Sequence, residues 1–122
     1  MKPILASRKT LTFTWMFFFV LTHWPKEAMP EGPALMHLDK VIHFLLYAIL
    51  GFLLSYRELD ALNYRKQVLI VFSILAAYGF FDEFTQPYIG RTAEFLDWIA
   101  DICGVAAGIT LHRKLVIKKA QV

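Results

Sequence analysis

Asp39, Lys40 and His43 stand at the start of one apolar stretch of this chain, Asp82, Glu83 and Gln86 at the end of the next, and Asp97 and Asp101 at the start of the last. Carboxylates gathered around a histidine suggest three kinds of chemistry. His43 and Asp39 could serve as an acid–base pair, with Asp82 or Glu83 as counterpart. His43, Asp39 and Asp82 or Glu83 could instead hold a divalent cation for assisted hydrolysis, although no HExxH-like spacing supports that reading. Or His43, Lys40 and Arg91 could contact phosphate and hydroxyl groups of a ligand while the carboxylates organise them. Covalent catalysis is poorly served. Ser55 and Ser73 lie elsewhere, and Cys103 projects off the face that carries the aspartates.

The surroundings of these residues are those of a membrane protein. Of 122 residues, 57% are hydrophobic and eleven are phenylalanine, and the mean hydropathy is +0.48. That is too apolar for a soluble domain, whose faces would all need covering. An ionisable side chain at mid-bilayer costs roughly 2.5–3.5 kcal/mol, so such residues are rare and by default functional. The single cysteine excludes an intramolecular disulfide. No repeat or low-complexity tract divides the chain, and residues 1–122 read as a single domain.

Four apolar spans are expected, at about 11–24, 38–56, 68–84 and 95–117. The first is short, flanked by Arg8 and Lys9 and by interfacial Trp15 and Trp24. Pro25, Pro30 and Pro33 make the following segment a loop. A basic start and apolar middle also fit a cleaved signal peptide, with a weak cleavage context around Ala28. Pro87 and the Tyr88-Ile89-Gly90 turn end the third span, and Thr92 is a candidate N-cap for the fourth. The fold class is therefore all-α, an integral membrane bundle of four transmembrane helices.

Basic residues set its orientation. With the N-terminus inside, ten of the thirteen Lys and Arg residues fall on inner segments, leaving only Lys26, Lys40 and Arg91 outside. Both termini are then cytoplasmic. Eight of the ten acids fall outside, which leaves that side at −5 and the inner side at +8. The polar residues belong to the extracytoplasmic side of a multi-pass cell-membrane protein.

Helical phase aims them inward. Asp39, His43 and Tyr47 form one line at i, i+4 spacing, with Lys40 alongside. Tyr78, Asp82 and Gln86 form another, with Glu83 beside them. Asp97, Asp101, Gly104 and Gly108 share a stripe about 60° wide. Gly104 and Gly108 make a GxxxG arrangement that lets a neighbouring backbone approach, so the two aspartates above them face a helix and not lipid. Arg91 is placed to pair carboxylates. Each residue also has a plainer role: His43 bonded to Asp39 or Tyr47, Asp82 capping Arg91, Glu83 solvated at a helix end. Tyr56, Tyr64 and Trp98 suit interfacial belts, while His23, His37 and His112 carry no separate signal.

These residues match a known pattern. Asp39-Lys40-Val41-Ile42-His43-Phe44-Leu45-Leu46-Tyr47, followed by Gly51, resembles the DKxxHFxxY signature of the VanZ-like family of small bacterial membrane proteins. Asp82-Glu83-Phe84-Thr85-Gln86, then Gly90-Arg91 and Asp97, is similar to its second signature. The likeness runs from Met36 to Gly108. It departs at Asp101, where the family pattern has asparagine, so that an added anion stands near Asp97 and invites a shared proton or a cation. The resemblance implies an envelope protein associated with glycopeptide resistance, notably to teicoplanin. It implies no defined reaction.

Three functions follow as expectations. The foremost is binding or modulation of a lipid-linked or cell-wall component at the extracytoplasmic site, with membrane lipids as further partners. The net negative face would repel phosphate unless a divalent cation or a cationic ligand bridged it; no other cofactor is evident. The second is an acid–base or metal-assisted hydrolase or transferase acting on a lipid, ranked lower because no nucleophile accompanies the cluster. The third is a structural or transport role, weakened because the ionisable groups stop near one side. Nucleic acid is not an expected partner, since the basic residues follow membrane orientation.

Overall fold

In lipid every backbone polar group must be satisfied within the protein, and helices achieve this residue by residue. The computed structural model, which describes residues 7–25, 32–58 and 63–122, is helical throughout, with no strand among them. Lys2, Lys26, Glu27, the Ala28 context, Pro30 and Glu31 lie outside the described residues. The elements are α1 (Arg8–Thr22), α2 (Pro33–Glu58), α3 (Tyr64–Thr85), a 3₁₀ turn (Gln86–Ile89) and α4 (Phe95–Ala120). Helices α2, α3 and α4 are long and apolar enough to cross a membrane. With 15 residues, α1 reaches about 22 Å against a hydrocarbon core of about 30 Å.

Two boundaries differ from expectation. Pro33 opens α2 and does not sit in the preceding loop; proline suits the first helical position, where its missing N–H would have had no intrahelical partner. Thr92 does not cap α4. Glu94 is the N-cap residue, without a cap bond from its own side chain; its backbone N–H instead donates to Glu83 Oε2 at 3.1 Å. Between α3 and α4 the chain turns at Gly90, whose φ of 78° lies in the left-handed region that glycine enters at no steric cost. That turn sets Arg91 N–H on Gln86 O at 3.1 Å.

Helices α2 and α4 make the closest pairing. A side chain on Gly108 would run into the backbone at Ala48 O and Phe52 N, and one on Gly104 into Phe44 O. Gly51 answers from α2, where a Cβ would stand 2.8 Å from Val105 O. Beside this seam the core is built from Leu46, Leu50 and Leu54 of α2, Val71 and Leu75 of α3, and Val105 and Ile109 of α4, with Phe18 added from α1. Outward-facing Phe13, Leu45, Leu69, Phe80, Phe84 and Leu111 are exposed, as lipid-facing residues would be.

Contacts at the two ends show that consecutive helices run in opposite directions. Thr22 at the end of α1 touches Asp82 near the end of α3, while Lys40 near the start of α2 meets Asp97 near the start of α4. At the opposite end Arg113 of α4 lies over the Tyr64 ring of α3, 4.8 Å from its centre. One end is therefore rich in carboxylates, and the other carries most of the basic residues.

Candidate polar site at one end of the bundle

The chemistry-bearing residues are brought to one end because each helix offers its polar turn there: the first turns of α2 and α4, the last turns of α1 and α3. They form two tiers.

The outer tier is ion-paired. One Arg91 nitrogen, Nη2, donates to both oxygens of Asp39 at 3.1 Å. Lys40 Nζ reaches Glu94 Oε2 at 2.7 Å and Asp97 Oδ1 at 3.1 Å. Arg91 is thus held by Asp39, not by Asp82. Both ties join α2 to the segment after residue 90, so the outer tier clamps the α2–α4 seam.

The inner tier is drier. His43 is only 1% exposed, and Asp82 and Asp101 are fully buried. His43 Nδ1 lies 2.8 Å from Asp101 Oδ1 and 3.7 Å from Glu83 Oε1. Its partner is therefore Asp101 on α4, and neither Asp39 nor Tyr47 on its own helix. Residues four apart on one helix point the same way and both face the neighbour. Asp82 Oδ1 accepts the Thr22 hydroxyl at 2.8 Å, with His23 Nδ1 3.3 Å away. Glu83 spans both tiers: Oε2 accepts the Glu94 N–H, and Oε1 accepts Gln86 Nε2 at 3.3 Å. Gln86 is buried and bonds within its own segment. Asp101 Oδ2 faces Gly79, where an added Cβ would stand 3.1 Å away.

Beneath the inner tier Tyr47 and Tyr78 stack with ring centres 6.0 Å apart, and Trp15 of α1 meets Tyr78 edge-on at 5.1 Å. Five atoms in this tier or just beneath it are buried with no hydrogen-bond partner among the described residues: His43 Nε2, Asp82 Oδ2, Asp101 Oδ2 and the hydroxyls of Tyr47 and Tyr78. In a low-dielectric interior each such orphan carries a desolvation cost, and here they are concentrated at one end of the bundle.

An apolar groove lies between α1 and α3. About 450 Å³ in volume, it is lined by Thr12, Trp15, Met16, Phe19, Val20, Tyr78 and Phe81. Its upper rim is one helical turn from the polar residues, since Tyr78 precedes Asp82 by four and Phe19 stacks on His23 at 4.0 Å.

Sequence reasoning passed over Thr22, His23 and Glu94. Thr22 and His23 end an apolar stretch with no polar periodicity of its own, so nothing local points to Asp82. Glu94 is one of the eight acids expected outside, and no helical spacing ties it to Lys40. The Trp98 indole donates to Ala76 O at 3.1 Å, which ties α4 to α3. Cys103 is exposed, away from the aspartates.

Residues 3–117 match the model of the family described as VanZ/LLP1. That match covers nearly the whole chain and agrees with the resemblance carried by the two signatures. No curated protein and no solved structure matches.

Proposed function

Since the chain belongs to the VanZ/LLP1 family, we propose that it is a multi-pass envelope protein whose polar end binds a lipid-linked cell-wall component on the extracytoplasmic side. The observation that carries this reading is an apolar groove whose lining residues Phe19 and Tyr78 stand one helical turn from the buried polar tier. A groove of about 450 Å³ lies within the range of about 300–1,000 Å³ usual for ligand sites. Its walls suit a hydrocarbon chain, and the unpartnered inner-tier atoms suit the head that the chain carries. A contribution to glycopeptide resistance, including teicoplanin, would follow from sequestering or altering such a component.

Lipids retained by the purified protein, identified by mass spectrometry, test the reading. Wild-type protein should retain an amphiphile that is depleted at least severalfold in Val20→Trp, which fills the groove, and in a combined His43→Ala, Asp82→Ala and Arg91→Ala variant. Equal lipid profiles in all three would overturn it.

In this reading α1 is a short fourth span, both termini are cytoplasmic, and the acidic end faces outward. In a Cys103→Ser background, Tyr88→Cys should react with a membrane-impermeant maleimide on intact cells, and Asn63→Cys only after permeabilisation. The reverse pattern would sink the orientation.

A second reading, acid–base chemistry on the same lipid, is favoured by one contact. The 2.8 Å approach of His43 Nδ1 to Asp101 leaves Nε2 free toward a substrate. A chemically altered lipid that accumulates with wild-type protein but not with Asp101→Asn separates it from simple binding.

A further inference from the structure

Charge at the polar end is unevenly balanced. Arg91 answers Asp39, and Lys40 answers Glu94 and Asp97. Among the described residues, Asp82, Glu83 and Asp101 form close ion pairs only with His23 and His43, with the Arg91 guanidinium acting on Asp82 from farther off. Asp82 and Asp101 are fully buried and Glu83 is 6% exposed, so water cannot make up the difference. A carboxylate buried without a matching charge costs several kcal/mol, and this tier sets three carboxylates against two histidines.

Geometry supplies the complementary observation. One ring nitrogen of His43 and one carboxylate oxygen each from Asp82 and Glu83 all lie within 4.8 Å of one another. At metal–ligand distances of about 2.0–2.6 Å, ligands on opposite sides of an ion stand about 4–5 Å apart. Two of the three residues carry an orphaned buried atom, His43 Nε2 and Asp82 Oδ2. With Nδ1–H donating to Asp101 Oδ1, Nε2 presents a lone pair. Carboxylate, imidazole and metal then form the relay by which metal-binding histidines are commonly oriented. Asp82 would bind through the oxygen that Thr22 does not hold.

We propose that His43, Asp82 and Glu83 bind one divalent transition-metal cation, with Asp101 as the positioning residue for His43. One imidazole and two carboxylates favour zinc or manganese over calcium or magnesium, which prefer all-oxygen sites. Asp39, His43 and Asp97 also approach one another within 4.8 Å. However, Asp39 is already held by Arg91 and Asp97 by Lys40, so an ion there would sit against two fixed positive charges. The inner set is the one left short of a cation.

Full-length protein purified in detergent without chelator should contain about one metal ion per chain by elemental mass spectrometry. After EDTA stripping, Zn²⁺ or Mn²⁺ alone should raise the unfolding midpoint. His43→Gln and the isosteric Asp82→Asn should each abolish both the ion and the rise. Asp101→Asn should keep one ion with Kd raised about 10–100-fold, the effect typical of losing an outer carboxylate partner. Arg113→Gln, at the opposite end of the bundle, should bind like wild type. Absence of metal from wild-type protein together with no midpoint shift for either ion overturns the proposal, as does unchanged binding in both His43→Gln and Asp82→Asn. No lipid is added in these titrations, so their outcome is independent of the lipid reading.

Discussion

Leucine at position 108 is expected to remove most of the folded protein from the membrane. A side chain there meets the Ala48 carbonyl and the Phe52 amide, both main-chain atoms of α2 that no rotamer change can move. Overpacking usually costs about 1–3 kcal/mol. Backbone on both sides places this substitution at the upper end or beyond. Gly108→Ala should show the same effect in milder form, because its single added carbon is already the clashing atom. Ala107→Leu, one residue earlier and exposed, should stay within about 0.5 kcal/mol of wild type. Unfolding midpoints in detergent and membrane protein levels give the comparison. A wild-type midpoint for Gly108→Leu would mean that α2 and α4 do not approach as closely as described.

The second large effect concerns charge. Lys40→Met keeps the length of the side chain but strips the cation from Asp97, whose side chain is 2% exposed, and from Glu94, which is 32% exposed. Glu94 can turn to water, whereas Asp97 cannot. Removing one partner of a buried pair typically costs about 3–5 kcal/mol; the partial exposure of Lys40 lowers the expectation to about 2–3 kcal/mol. Most of that cost should be the stranded Asp97 charge, so Asp97→Asn in the same chain should restore more than half of it. A double-mutant cycle on folding stability measures the coupling directly. A coupling near zero would show that the pair does not hold the two helices together.

Much of this arrangement was legible because a helix repeats every 3.6 residues. Asp97, Asp101, Gly104 and Gly108 had to share a face, and a face with two aspartates above two glycines had to meet another helix. Helical phase says which way a residue points but not which residue it meets. His43 therefore read as a partner for Asp39 or Tyr47, four residues away, when the near atom belongs to Asp101, 58 residues on. Thr22 and Asp82 are 60 residues apart, and nothing in an apolar stretch ending in Thr-His announces such a contact. The start of α4 was misjudged for a related reason. A threonine in a loop resembles a cap, but Glu83 on α3 already supplies the acceptor for the helix entrance. Long-range satisfaction replaced a local signal, as tertiary contacts regularly do.

The pairing of α2 with α4 also bears on the order in which the protein is made. Domains assemble as they emerge during synthesis, and α2 emerges before the segments that balance it. Asp39 waits for Arg91, Lys40 for Glu94 and Asp97, and His43 for Asp101. Until roughly the last quarter of the chain has been translated, these three side chains have none of those partners. The nascent second helix is apolar enough to cross by itself, yet it enters with three polar side chains at one end that find these partners only once the chain after Gly90 has followed.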